Sequence, residues 1–168
     1  MIIEYKKNRP EIDESAFVAE NATVAGKVRI GKKSSVWFGA VVRGDMNSVT
    51  IGDGTNIQDN VVIHVGMKQP VVIGNGVSIG HGACVHSATV GDNCLIGMNS
   101  TVLDGAVIGK NSIVGAGAVV TSGTVVPEGS MVLGTPAKVV KKTDVKQILS
   151  NKVNAEAYIT LAKQFKKQ

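Results

Sequence analysis

The residues with the clearest chemical potential are three histidines, His64, His81 and His86. They are all the histidines in the chain, and all lie between Ile57 and Val90. Neutral imidazole is a standard ligand for zinc and related ions, and three such ligands leave a fourth position open for water. Arg43, Asp45, Gln58 and Asp59 stand close by in the sequence. Whether these groups can meet depends on the repeat that carries them.

From Ile12 an aliphatic residue recurs every six positions: Ile12, Val18, Val24, Ile30, Val36, Val42. The series resumes at Ile51, Ile57 and Ile63, and again at Ile73, Ile79 and Val85. After one five-residue step it runs from Val90 to Val132. Small residues follow four places later, among them Ala16, Ala40, Thr55, Ala83, Thr89, Cys94 and Ala118. This period fits neither a helix nor long alternating strands. It predicts a coil of very short strands, three to a triangular rung, with rungs stacked about 4.8 Å apart. Two insertions break the period, RGDMNSVT after Val42 and HVGMKQPVV after Ile63, and both are expected to bulge outward as loops.

The register then places the candidates. His64 follows Ile63 and His86 follows Val85, one full rung later, so the two imidazoles share a face and can share a metal ion. Arg43 follows Val42 and joins their column. His81 lies two places after Ile79, on the preceding face, in the column of Asp59 and beside Gln58. A threefold axis would bring one face of a subunit against the other face of its neighbour. The geometry therefore predicts a metal site shared between subunits of a homotrimer, with Arg43 paired to Asp45 or Asp59.

Composition narrows the alternatives. The chain has 168 residues, a net charge of +5, 20 glycines and 4% aromatic residues. Much of the excess charge lies in the tail, from Lys138 to Lys167, without interleaved aromatics, which argues against nucleic-acid binding. No apolar run is long enough for a membrane span, and Met1 begins no signal-peptide pattern. Two cysteines are too few for a disulfide framework, so a reducing cytoplasm is expected. Cys94 is expected in the core, Cys84 as a bystander to the site, and Trp37 as an interface anchor. Residues 1–136 are expected to form the coil and residues 137–168 a helical segment. That segment is read as a short helix over 145–149 and a second one capped by Asn154, together covering the open end of the coil.

Three motifs carry a family resemblance: VVRGD (Val41 to Asp45), NIQDNVVIH (Asn56 to His64) and IGHGACVH (Ile79 to His86). GTPAKVV (Gly134 to Val140) is shared more widely among hexapeptide-repeat proteins. The chain resembles the γ-class carbonic anhydrases. The resemblance implies an all-β solenoid, a left-handed parallel β-helix of about seven triangular rungs with a C-terminal helix. It also implies a lyase that hydrates CO2 to bicarbonate with water activated by Zn2+ or Fe2+. His64 and His86 would come from one subunit and His81 from the next. By the same resemblance Gln58 orients the reacting water, while Arg43, Asp45 and Asp59 order the interface and pocket. Tyr158, in NAEAYITLA, resembles a tyrosine that some shorter relatives bring to the pocket. The best-characterised members of that family carry proton-exporting carboxylates right after the RxD stretch and in the loop after the first histidine. Here those places hold Met46 and HVGMKQP, with no carboxylate. Two other classes fit the repeat: an acyltransferase or thioesterase acting on CoA thioesters, and a non-catalytic trimer stabilised by metal.

Overall fold

The computed structural model describes residues 1–167 and forms a parallel β-solenoid followed by one helix. Each hexapeptide contributes a strand of two or three residues, and each strand pairs in parallel with the strand one turn on. One face is an eight-stranded sheet from Phe17–Val18 to Lys138–Lys142. Its last strand is antiparallel, so seven parallel strands mark seven turns. The other two faces are joined into one sheet by the bent strands Thr23–Ile30 and Val41–Ile51, which run across a corner.

The interior is the predicted column of aliphatics. Val24, Val36, Val42, Ile57, Ile63, Ile79, Val85, Ile96 and Val102 all stand at 2% exposure or less. Burying a side chain of this size fully contributes about 1.5–3 kcal/mol. The small residues pack where the chain turns. Ser34 and Thr55 there also donate to backbone carbonyls of the next turn, so the corners leave no buried side-chain donor unpaired among the described residues.

Several expectations change. The first insertion is no loop: Val41–Ile51 is an eleven-residue strand that pairs along Thr23–Ile30, and an irregularity between Gly26 and Val28 absorbs the length difference. The second insertion does leave the sheet, between His64 and Val71. At the five-residue step the small inward residue is Ala88, and Thr89 faces out. Ser87 takes a left-handed backbone there (φ 45°), which turns the chain in one residue fewer.

The tail also differs. Its first residues, Lys138–Lys142, form the antiparallel strand that closes the last turn. One continuous helix, Val145–Phe165, replaces the two expected. Asp144 caps it in a capping box with Gln147, and Asn154 lies inside it, its side chain turned to Ser78. The helix runs back along the eight-stranded face instead of covering the open end. Lys166 reaches the carbonyls of Glu14 and Ala16 in the first turn. No helix among the described residues is long and apolar enough to cross a membrane.

The chain has one tryptophan, two tyrosines and three phenylalanines, and five of these six aromatics pin the helix to the coil. Trp37 is the hub, with ring centroids 5.1 Å from Phe17, 6.2 Å from Phe38, 5.5 Å from Tyr158 and 5.4 Å from Phe165. Trp37 is therefore not an exposed anchor for another subunit. It is 3% exposed, under the chain's own helix, with its indole N–H on Ser35.

Two outcomes follow from this packing. A Cβ on Gly97 would lie 2.5 Å from the Ala116 amide nitrogen and 2.6 Å from the Gly115 carbonyl carbon of the next turn. Neither can rotate aside, so Gly97→Ala should lower unfolding stability by about 2–3 kcal/mol in denaturant titration. An unchanged midpoint would mean the turns are not stacked this closely. Cys94 is fully buried, its thiol donates to the Gly109 carbonyl, and burial pushes its pKa up to about 12. At a pH of about 8, thiol alkylation should miss Cys94 in the folded protein and reach it after unfolding.

Candidate metal centre

Parallel pairing sets the first two histidines. Val62–His64 lies between Val41–Ile51 and Cys84–His86, so Arg43, His64 and His86 stand directly above one another. The two imidazole centroids are 5.1 Å apart, and His86 Nε2 sits 3.2 Å from His64 Nδ1. The outer nitrogens each meet a carboxylate. His64 Nε2 is 2.9 Å from Asp45 Oδ1, and His86 Nδ1 is 3.0 Å from Asp104 Oδ2. Asp45 also pairs with Arg43, so of the two acids expected near this arginine it is Asp45 that binds it. Desolvation raises the Asp45 carboxyl, but hydrogen bonds from His64 and Arg43 outweigh it and hold the group below its ordinary pKa. Asp104 is held down in the same way, with the His86 bond overcoming desolvation.

His81 sits at the corner after the strand Ser78–Ile79, over Asp59 of the preceding turn. Its Nδ1 is 2.8 Å from Asp59 Oδ2. The His81 backbone N–H donates to Gln58 Oε1 at 3.2 Å, and Gln58 Nε2 donates to Asn56 Oδ1 at 3.0 Å. Asn56 in turn donates to Ser78 Oγ, which also accepts from Asn154 on the helix. Gln58 is thus buried with its amide orientation fixed. Gln58, His81 and Tyr158 line one cleft of about 470 Å³ between the coil and the helix. Burial, and then the charge of Asp59, push the Tyr158 hydroxyl above its usual pKa, so it is a neutral donor at pH 7.

The donor set suits a zinc-class ion. Each histidine gives one ring nitrogen to a carboxylate, which fixes the tautomer and bares the other nitrogen, the arrangement common to metal-binding histidines. The bare atoms are His64 Nδ1, His86 Nε2 and His81 Nε2. With metal–nitrogen bonds of about 2.0–2.1 Å, neighbouring ligands on a tetrahedron lie about 3.3 Å apart. The 3.2 Å between His64 Nδ1 and His86 Nε2 matches that edge. Among the described residues, no three His, Cys, Asp or Glu side chains of one chain gather at metal-holding distance. His64 and His86 belong to the twelve-stranded sheet, whereas His81 leaves the eight-stranded one.

Asp104 was missed in the sequence. It stands two places after the interior residue Val102, one turn beyond Ser87, so its column was computable. A lone aspartate at a corner gave no reason to look there. Cys84 is half-buried, and burial raises its thiol pKa.

Known proteins agree with this organisation. The family model described as bacterial transferase hexapeptide (six repeats) matches residues 87–122, and that of the hexapeptide repeat of succinyl-transferase matches residues 70–94. A protein named probable carbonic anhydrase from Methanocaldococcus jannaschii is 51% identical over 90% of this chain and 95% of its own length. Gamma carbonic anhydrase 2, mitochondrial, from Arabidopsis thaliana is 43% identical over 91% of this chain, which spans 57% of that longer protein. A solved Bacillus cereus protein, provisionally designated an acetyltransferase, superposes with a TM-score of 0.97. It is 35% identical, over 99% of this chain and 96% of its own. With 51% identity to a carbonic anhydrase relative along nearly that protein's whole length, and with the histidine register described above, the chain belongs to the γ-carbonic anhydrase family of hexapeptide-repeat proteins.

Proposed function

We propose that this chain is a metal-dependent carbonic anhydrase, interconverting CO2 and bicarbonate as a homotrimer. His64 and His86 of one subunit and the partner subunit's His81 would hold Zn2+ or Fe2+ at each interface. The observation that carries this reading is the pair of bare ring nitrogens, His64 Nδ1 and His86 Nε2, at a ligand–ligand distance of 3.2 Å. The bound ion would acidify water toward neutrality and so supply the nucleophile for CO2.

The chain's own residues do the rest. Asp45 and Asp59 accept the outer imidazole N–H groups of His64 and His81 and so aim the inner lone pairs. Arg43, about half exposed, holds Asp45 in place and is free on its outer side to meet a neighbouring subunit. Gln58 keeps one amide N–H beyond its bond to Asn56, and this donor orients the reacting oxygen at the cleft. Tyr158 offers a second neutral donor there. The site needs no disulfide, in keeping with two free cysteines and a reducing, cytoplasmic setting. Domains 1–136 and 137–168 then have distinct tasks: the coil spaces the ligands, and the tail closes the last turn and brings Tyr158 to the cleft.

A second reading is an acyltransferase or thioesterase acting on CoA thioesters. It is favoured by the transferase names of the matching repeat models. It predicts acyl-CoA turnover that survives a chelator.

Metal analysis of anaerobically purified protein, with oxygen-isotope exchange between CO2 and water on the same sample, tests the proposal. Stoichiometric metal and chelator-sensitive exchange are expected; protein without metal, or loaded protein without exchange, would sink it. Met46 and the segment after His64 supply no carboxylate, so we propose that the proton leaves through solvent buffer. Turnover should therefore rise with buffer concentration, and a rate independent of buffer would contradict this route.

A further inference from the structure

We propose that Asp104 is a positioning residue for the metal centre: by accepting a hydrogen bond from the His86 Nδ1–H it keeps His64 and His86 from closing on each other. The inference rests on the metal-centre reading above.

A neutral imidazole carries one N–H and one lone pair. His64 is tied at Nε2 to Asp45 and His86 at Nδ1 to Asp104, at 2.9 and 3.0 Å. With both ties in place, the facing atoms at 3.2 Å are two lone pairs, which repel unless a cation lies between them. Removing either tie frees that ring to move its proton inward. The two imidazoles would then form an ordinary N–H···N hydrogen bond at the same distance, at the long end of the normal range. That self-pairing competes directly with an incoming ion. Asp45 is held from two sides, by Arg43 and His64. Among the described residues Asp104 pairs with no such cation, which leaves the His86 side as the weaker lock.

The backbone is built to hold this lock. Ser87 adopts its left-handed conformation immediately after His86. Its N–H donates to the His64 carbonyl at 3.1 Å, and its carbonyl accepts from Gly105, the residue after Asp104, at 2.8 Å. Its hydroxyl accepts the Gly66 N–H at 2.8 Å. One residue at the short step thus joins the His64 strand, the start of the following loop and the Asp104 corner. Because Asp104 is about half exposed, replacing it disturbs no core packing.

The test uses the full chain with Asp104→Ala and Asp104→Asn, and Glu128→Ala as a surface control. Nitrogen-15 NMR of the metal-free protein reads the His86 tautomer, and chelator competition reads zinc affinity. Wild type should carry the His86 proton on Nδ1. Asp104→Ala should move it to Nε2 and weaken zinc binding about 10- to 100-fold. Asp104→Asn keeps an acceptor oxygen and should restore most of both. Glu128→Ala should change neither. An unmoved tautomer, or zinc affinity in Asp104→Ala equal to wild type, would overturn the proposal. Wild type that binds no zinc would instead overturn the metal-centre reading on which it stands.

Discussion

Everything at the site depends on the fixed distance between hydrogen-bonded parallel strands. Neighbouring strands cannot stand much closer or farther apart than about 4.8 Å. His64 and His86 occupy paired positions on adjacent turns, and this spacing brings their ring nitrogens to 3.2 Å. A slip of one residue would send one histidine into the core and an aliphatic outward. The buried column of Val and Ile prevents that slip. The solenoid is in effect a ruler, and its hydrophobic register holds the spacing of the two imidazoles.

The carboxylates turn that spacing into chemistry. Three histidines each meet one acid, and the acids come from three different turns of the coil: Asp45, Asp59 and Asp104. The helix is tied into the same system twice. Its aromatics clamp Trp37, and Asn154 begins a polar chain through Ser78 and Asn56 to Gln58. A tail that looks peripheral in sequence therefore helps fix the orientation of the buried Gln58 amide at the cleft.

Much of this was legible beforehand. The six-residue period gave the solenoid, its stacking and the shared column of Arg43, His64 and His86, because interior aliphatics and strand pairing obey local rules. The same counting put His81 over Asp59, which the structure shows directly. What could not be read were features set by nonlocal packing. Trp37 looked like a surface anchor because nothing in the repeat says that the distant helix covers it. The first insertion read as a loop because its pairing partner, Thr23–Ile30, carries no mark of its own. Asp104 could be placed by the register, one turn beyond Ser87, but a lone aspartate at a corner carries no mark that its side chain turns to His86. The acyltransferase alternative persisted for a related reason: the repeat encodes a scaffold, and scaffolds of this kind serve several chemistries.

The central claim is that the centre is divided between subunits, and chain mixing tests it most directly. His81→Ala and His86→Ala chains each lack one ligand, so neither variant alone can complete a site. In equal mixtures of reassociated trimers, about one interface in four joins an intact His64–His86 pair to an intact His81. The mixture should regain about a quarter of the wild-type zinc content. A mixture as empty of metal as the two separate variants would contradict that claim.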